Sequence, residues 1–189
     1  MTRTDVKICG IASPSDYDVC AEAGAAFVGM VFYARSPRHL SFEQAAHISQ
    51  HAKKQPHPGP KCVALTVNMT EAEIASMIDI ADPDILQLHG NETPTQAEKL
   101  RTRHRLPIIK ALRVASTDDL KVCREWDGIA DWLLFRKNNN HYMAAWLYLY
   151  VYKCMLCMNL YVCVCTYVYA CMCMHVCMCA CMYVCMYVC

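Results

Sequence analysis

A chain of 189 residues with a formal net charge of +1 has the length of one domain, or of one domain with an appendage, and it carries no electrostatic footprint for a nucleic-acid partner. The averages conceal two unlike pieces: through Asn140 the chain holds all 17 acidic residues and all but one of the 18 basic ones, and beyond it only Lys153 is charged. Of 15 cysteines, 11 fall between Cys154 and Cys189; the other four, Cys9, Cys20, Cys62 and Cys123, lack metal-ligand or disulfide-like spacing and read as thiols of a reducing cytosol.

The first residues, Met1 to Asp5, have neither the apolar stretch of a secretory signal nor the character of an Arg-rich transit peptide, so the first part is expected in the cytoplasm. From there, short apolar runs rich in β-branched residues alternate with longer segments of helical period, which is the α/β pattern. Strands are predicted at Val6 to Cys9, Phe27 to Phe32, Cys62 to Val67, Ile85 to His89, Ile108 to Val114 and Trp132 to Phe135. Most are apolar on consecutive positions, as strands covered on both faces must be. Helix starts fall between them. Ser41 with Gln44, Thr70 with Glu73, and Thr93 with Gln96 match the capping box, in which two side chains satisfy the free amides of a first turn. Pro14 and Pro94 stand at the first helical position, where a missing N–H costs nothing. Ile74, Met77 and Ile78 form an apolar stripe. An unbroken βα repeat without a G-x-G-x-x-G after the first strand leans toward a barrel and away from a doubly wound sheet.

In parallel α/β proteins the reactive groups gather at the carboxyl ends of strands. Three residues qualify: Cys9 ending the first strand, Arg38 following the second, and His89 ending the fourth. Each has a plainer reading. A cysteine at a strand end serves as a small buried hydrophobe, a loop arginine as a solvated charge, and a strand-end histidine as a brace for its loop. Their convergence on one rim is what favours a site.

Four blocks, V-K-I-C-G-I, F-V-G-M-V-F-Y-A-R-S-P-R-H-L-S, L-Q-L-H-G-N-E-T-P and P-I-I-K-A-L-R-V, stand in an order that resembles phosphoribosylanthranilate isomerase. The resemblance runs from about Val6 to Phe135 and covers the first six strands of a (βα)8 TIM-type barrel. It implies an Amadori rearrangement of N-(5-phosphoribosyl)anthranilate, from aminoaldose to aminoketose, in tryptophan biosynthesis and without any cofactor. The expected partner is therefore a small phosphorylated sugar–anthranilate, with no nucleic acid and no membrane. By the same resemblance Cys9 is the general base, Arg38 meets the anthranilate carboxylate or a neighbouring anionic group, and His89 lines the mouth. A thiol suits the base role where cationic neighbours favour its thiolate.

The family's general acid is an aspartate closing the sixth strand, and the matching stretch here, Trp132-Leu133-Leu134-Phe135-Arg136, places Arg136 there. A guanidinium, with a pKa above about 12, does not deliver protons at neutral pH. No counterparts of the seventh and eighth strands are recognisable. The expectation is thus a barrel truncated after about six strands over 1–136, with open edges on the first and sixth, poorly soluble and inactive as written. Residues 137–189 read as a low-complexity tail. From Tyr161 to Cys189 odd positions are Cys, Tyr or His and even ones Val, Met, Thr or Ala, as alternating purine–pyrimidine DNA encodes when translated. Competing readings of the tail are soft-metal binding by Cys163 with Cys165, Cys171 with Cys173 and Cys177 with Cys179, a β-strand, or a membrane helix. These would make the chain a non-enzymatic Cys-rich protein carrying a partial barrel.

Overall fold

A computed structural model describes residues 5–114, 118–137, 161–166 and 183–186. In chain order they form β1 (Val6–Cys9), α1 (Pro14–Glu22), β2 (Phe27–Phe32), α2 (Phe42–Lys53), β3 (Lys61–Thr66), α3 (Glu71–Ala81), β4 (Ile85–Leu88), α4 (Pro94–His104), β5 (Ile108–Val114), a 3-10 helix (Asp118–Trp126), β6 (Trp132–Lys137), β7 (Tyr161–Thr166) and β8 (Tyr183–Met186). All eight strands pair in parallel, each with the next, and β8 returns to β1 to close the barrel.

The helices begin where the side chains can cap them. All three expected capping boxes form, and a fourth, Ser13 with Asp16, opens α1. An aspartate one methylene shorter than Glu does the same work there, its carboxylate accepting from the amides of Ala12 and Ser13 at 2.8 and 3.0 Å. Side-chain alternation along the strands divides the apolar residues into two layers. Val28, Met30, Cys62, Ala64, Leu86, Leu88 and Ile108 face outward and pack under Ile48, Ile74, Met77 and Leu100 of the helices. Cys9, Val31, Val63, Leu65, Ile85, Ile109, Ala111 and Leu134 fill the barrel itself. The interior is thus a packed core, and its polar exceptions, Lys7 and Gln87, point to the site described below.

At the amino ends of the strands, carboxylates staple neighbours together. The amide of Cys62 donates to Asp84 at 2.7 Å and that of Ile108 to Asp131 at 2.8 Å, each acid standing just before the next strand. Those bonds set register and stability, leaving the opposite rim for chemistry.

The expectation of open edges on the first and sixth strands is corrected. Tyr161–Thr166 pairs with β6, from Trp132 opposite Tyr161 to Arg136 opposite Cys165, and Tyr183–Met186 bridges β7 and β1. Two short pieces of the tail stand where the seventh and eighth strands were thought to have no counterpart. Val, Tyr, Thr and Cys in strict alternation suit a pleated strand whatever the origin of the sequence, because β-branched and aromatic residues favour it and the period is two. Cys171, Cys173, Cys177 and Cys179 lie outside the described residues. Among the described residues no helix is long and apolar enough to cross a membrane.

Removing residues 138–189 leaves β6 and β1 with a row of unpaired amides and carbonyls. Such a fragment is expected to elute as aggregate in size-exclusion chromatography, and the full chain as a discrete species; a monodisperse, cooperatively unfolding fragment would show that closure through the tail is dispensable.

Candidate active site

Cys9 ends β1 inside the barrel mouth, 4% exposed, and Gly29 stands opposite it in register on β2. A Cβ at Gly29 would lie 2.8 Å from the Cys9 sulfur and 2.8 Å from the Lys7 Nζ. The missing side chain therefore makes room for both groups, which are no farther apart than twice that distance. The Lys7 amine and the Cys9 thiol thus share one space at the mouth. The next residue, Gly10, has φ +87, and a Cβ there would meet Arg38 Cδ at 2.3 Å. The Arg38 stem lies flat on that backbone turn, so Cys9 and Arg38 are brought to the same side of the mouth.

His89 and Arg136 occupy the other side. β4 and β6 flank β5, which is four strands round the ring from β1. Arg136 Nη1 lies 3.1 Å from His89 Nε2, and the Gln87 side-chain amide lies 2.8 Å from His89 Nδ1. A guanidinium only donates, so Nε2 is the accepting nitrogen and the ring proton sits on Nδ1. The structure sets the Gln87 amide nitrogen against Nδ1 and leaves the amide oxygen without a partner among the described residues; turning the amide over presents that oxygen to the ring proton. Gln87, His89 and Arg136 thus form one hydrogen-bonded chain along this wall.

Behind this wall lies a buried ion pair. Lys110 Nζ donates to Glu92 Oε2 at 2.8 Å and to the Gly90 carbonyl at 2.8 Å, and it sits 5.1 Å from the centre of the Trp126 ring. The side chains of Lys110 and Glu92 are 4% and 6% exposed. Burial pushes the Lys110 amine below its ordinary value, while the Glu92 carboxylate opposes that shift. Glu92 also accepts from the amides of Asn68 at 2.9 Å and Gly90 at 2.9 Å, so one carboxylate joins the loops after β3 and β4 to β5. A cavity of about 300 Å³ opens beside it, with His89, Lys110, Arg113, Glu125, Trp126 and Arg136 among its walls.

Cys9, Arg38, His89 and Arg136, the residues singled out from sequence, thus all stand at the barrel mouth, in two facing pairs. Lys7, Gly29, Gln87, Glu92, Lys110 and Arg113 were not singled out. Lysines inside the apolar runs V-K-I-C and I-I-K-A were the available signal, because a lysine in a strand covered on both faces must have a partner. Elsewhere in the chain burial raises the Cys20 thiol and, reinforced by Asp84, pushes Cys62 up to about 12, which makes Cys62 inert. Among the described residues no group of three or more His, Cys, Asp or Glu side chains could hold a metal.

A closed parallel βα barrel with ionisable groups at the carboxyl ends of its strands is the architecture of a barrel enzyme. The family model described as N-(5'-phosphoribosyl)anthranilate (PRA) isomerase matches residues 6–139. The N-(5'-phosphoribosyl)anthranilate isomerase of Rhodopseudomonas palustris is 39% identical over 131 residues, 69% of this chain and 58% of that protein. Its counterpart from Parvibaculum lavamentivorans is 42% identical over 130 residues, 69% of this chain and 59% of that one. The crystal structure of phosphoribosyl anthranilate isomerase from Thermotoga maritima superposes with a TM-score of 0.70 at 26% identity, over 86% of this chain and 76% of that one. An HpcH/HpaI aldolase from Desulfitobacterium hafniense, 12% identical with a TM-score of 0.69 over 98% of this chain and 87% of that one, shares the fold alone. The chain belongs to the phosphoribosylanthranilate isomerase family. It spans less than two thirds of the length of the curated relatives it matches.

Glu92→Gln is expected to destabilise the protein by about 3 kcal/mol, since it leaves the Lys110 ammonium buried without its counter-charge. Urea unfolding measures this; a loss under about 1 kcal/mol would mean that the pair is not what ties the loops together.

Proposed function

We propose that this chain carries the base half of its family's aldose–ketose isomerase site and lacks the acid half, so that it binds the sugar–anthranilate without turning it over. The observation that carries the reading is Cys9 buried at the mouth, with Lys7 beside it over Gly29, the Arg38 stem over the next residue, Gly10, and Arg136 at the rim of β6. A family member has been solved with reduced 1-(o-carboxyphenylamino)-1-deoxyribulose 5-phosphate, the kind of molecule for which such a site is shaped.

The rearrangement is redox-neutral and calls for no cofactor. An acid protonates the ring oxygen as the C1–O bond breaks, giving an imine; a base removes the C2 proton to give an enamine; tautomerisation then yields the ketone. The Cys9 thiolate accepts the C2 proton, Arg38 pairs with the anthranilate carboxylate, and His89 contacts the substrate from the far wall. Arg136 holds its proton too firmly to serve the ring oxygen and here donates to His89 instead. The isomerase-like part of the chain ends at residue 136, residues 137–189 add no chemistry of their own, and the protein works in the cytoplasm.

In an assay following conversion of N-(5-phosphoribosyl)anthranilate, the purified chain is expected to show background rates that Cys9→Ser does not alter. Arg136→Asp restores a carboxylic acid at the rim and should raise turnover roughly 100-fold, the lower end of what a positioned acid contributes. Turnover by the unaltered chain that depends on Cys9, or no gain from Arg136→Asp, would overturn the reading.

A further inference from the structure

Arg113 on β5 and Arg136 on β6 are direct partners in the parallel ladder. Residues so paired project on the same face of a sheet from strands roughly 4.8 Å apart, and like charges placed side by side in this way destabilise it. Both arginines border the same cavity of about 300 Å³. Arg136 is oriented by its bond to His89 Nε2, which occupies one of its five N–H donors. Arg113 is exposed, and among the described residues it has no ion pair. Of the two carboxylates on the cavity wall, Glu92 is neutralised by Lys110. Glu125, exposed on the 3-10 helix, remains as the one opposing charge among the described wall residues. The balance at this point is two adjacent guanidiniums against one solvated carboxylate, around a space large enough for a small anion.

We propose that Arg113 and Arg136 form a binding site for a phosphate-monoester group on the β5–β6 rim. A dianion relieves the repulsion between the two side chains, and the planar fork of each guanidinium can donate two hydrogen bonds to adjacent phosphate oxygens. Phosphate carries roughly −1.5 to −2 charges near neutral pH, which matches the pair better than a single carboxylate does. The site rests on the ladder register and the cavity alone, so it stands whichever way the isomerase assay falls.

The test titrates inorganic phosphate into the full 189-residue chain at constant ionic strength balanced with chloride, read by isothermal calorimetry and by thermal shift. Saturable binding is expected, weakened at least roughly tenfold by Arg113→Gln and by Arg136→Gln, as loss of a charge-assisted pair implies. Arg103→Gln, which removes an exposed charge from the last turn of α4, should leave it unchanged, and Glu125→Gln should tighten it. Arg113→Gln alone is expected to raise the melting temperature without phosphate, because it removes the like-charge contact. Absence of saturable binding, affinity in Arg113→Gln equal to that of the parent chain, or benzoate binding as tightly as phosphate would each overturn the assignment.

Discussion

The Glu92 carboxylate accepts hydrogen bonds from two backbone amides, on the loops after β3 and β4, and from the ammonium of Lys110 on β5. In water such an ion pair would contribute little, but with both side chains almost fully covered neither charge has solvent to turn to. The geometry of three loop ends is thereby held by groups that cannot relax one at a time. His89 sits immediately before Gly90, whose amide and carbonyl are both engaged in this network. The position of the imidazole, and through it the direction of the Arg136 guanidinium, follows from a charge pair that touches neither.

The same rim shows what a family member keeps and what it loses when one strand end changes. On the β1–β2 side two glycines do the shaping: Gly29 leaves space for Lys7 and Cys9, and Gly10 takes a left-handed turn under Arg38. That half of the mouth lies within the segment shared with the family, and the residues that shape it all precede residue 39. The other half depends on β6, whose last residues decide whether the rim carries an acid or a cation. On the reading proposed above, Arg136 turns a wall that would donate a proton into one that attracts anions, leaving the fold around it in place. A barrel allows such a change because its strands hold the ring together by backbone pairing, while the rim side chains bear no share of that load.

Much of the architecture could be read from residue order. Continuous apolar runs marked β1 to β6 to within one or two residues, and Ser or Thr three residues before Gln or Glu marked three helix starts, because capping is local chemistry. The Ser13–Asp16 box escaped because aspartate falls outside that pattern, although its carboxylate reaches the same amides. Lys7 and Lys110 were passed over for a different reason: a strand reading counts the apolar positions and does not ask where an embedded ammonium goes. Only the fold reveals that one lies beside Cys9 and the other against Glu92. The pairing of β7 and β8 was equally hidden, since alternating Val and Cys positions are compatible with a strand at many places, and only the two free edges of the sheet select which segments are used.

Register decides the character of the β5–β6 rim more strongly than composition does. Successive strand residues face opposite sides, so a slip of β6 by one position would turn Phe135 into the mouth and carry Arg136 to the helix layer, away from Arg113. Asp131 prevents this. Its side chain accepts from the Ile108 amide at 2.8 Å while its own amide donates to the Ile108 carbonyl at 2.9 Å, clamping the start of β6 to the start of β5. Arg101 on α4 holds the same carboxylate at 3.2 Å and caps the carbonyl of Ile129 at 2.8 Å, which fixes the chain entering the strand. From that clamp the ladder runs unbroken through Lys110 opposite Leu133 to Arg113 opposite Arg136. The juxtaposition of two guanidiniums at the top of the barrel is therefore imposed from the bottom, by a carboxylate five residues earlier that has no contact with either.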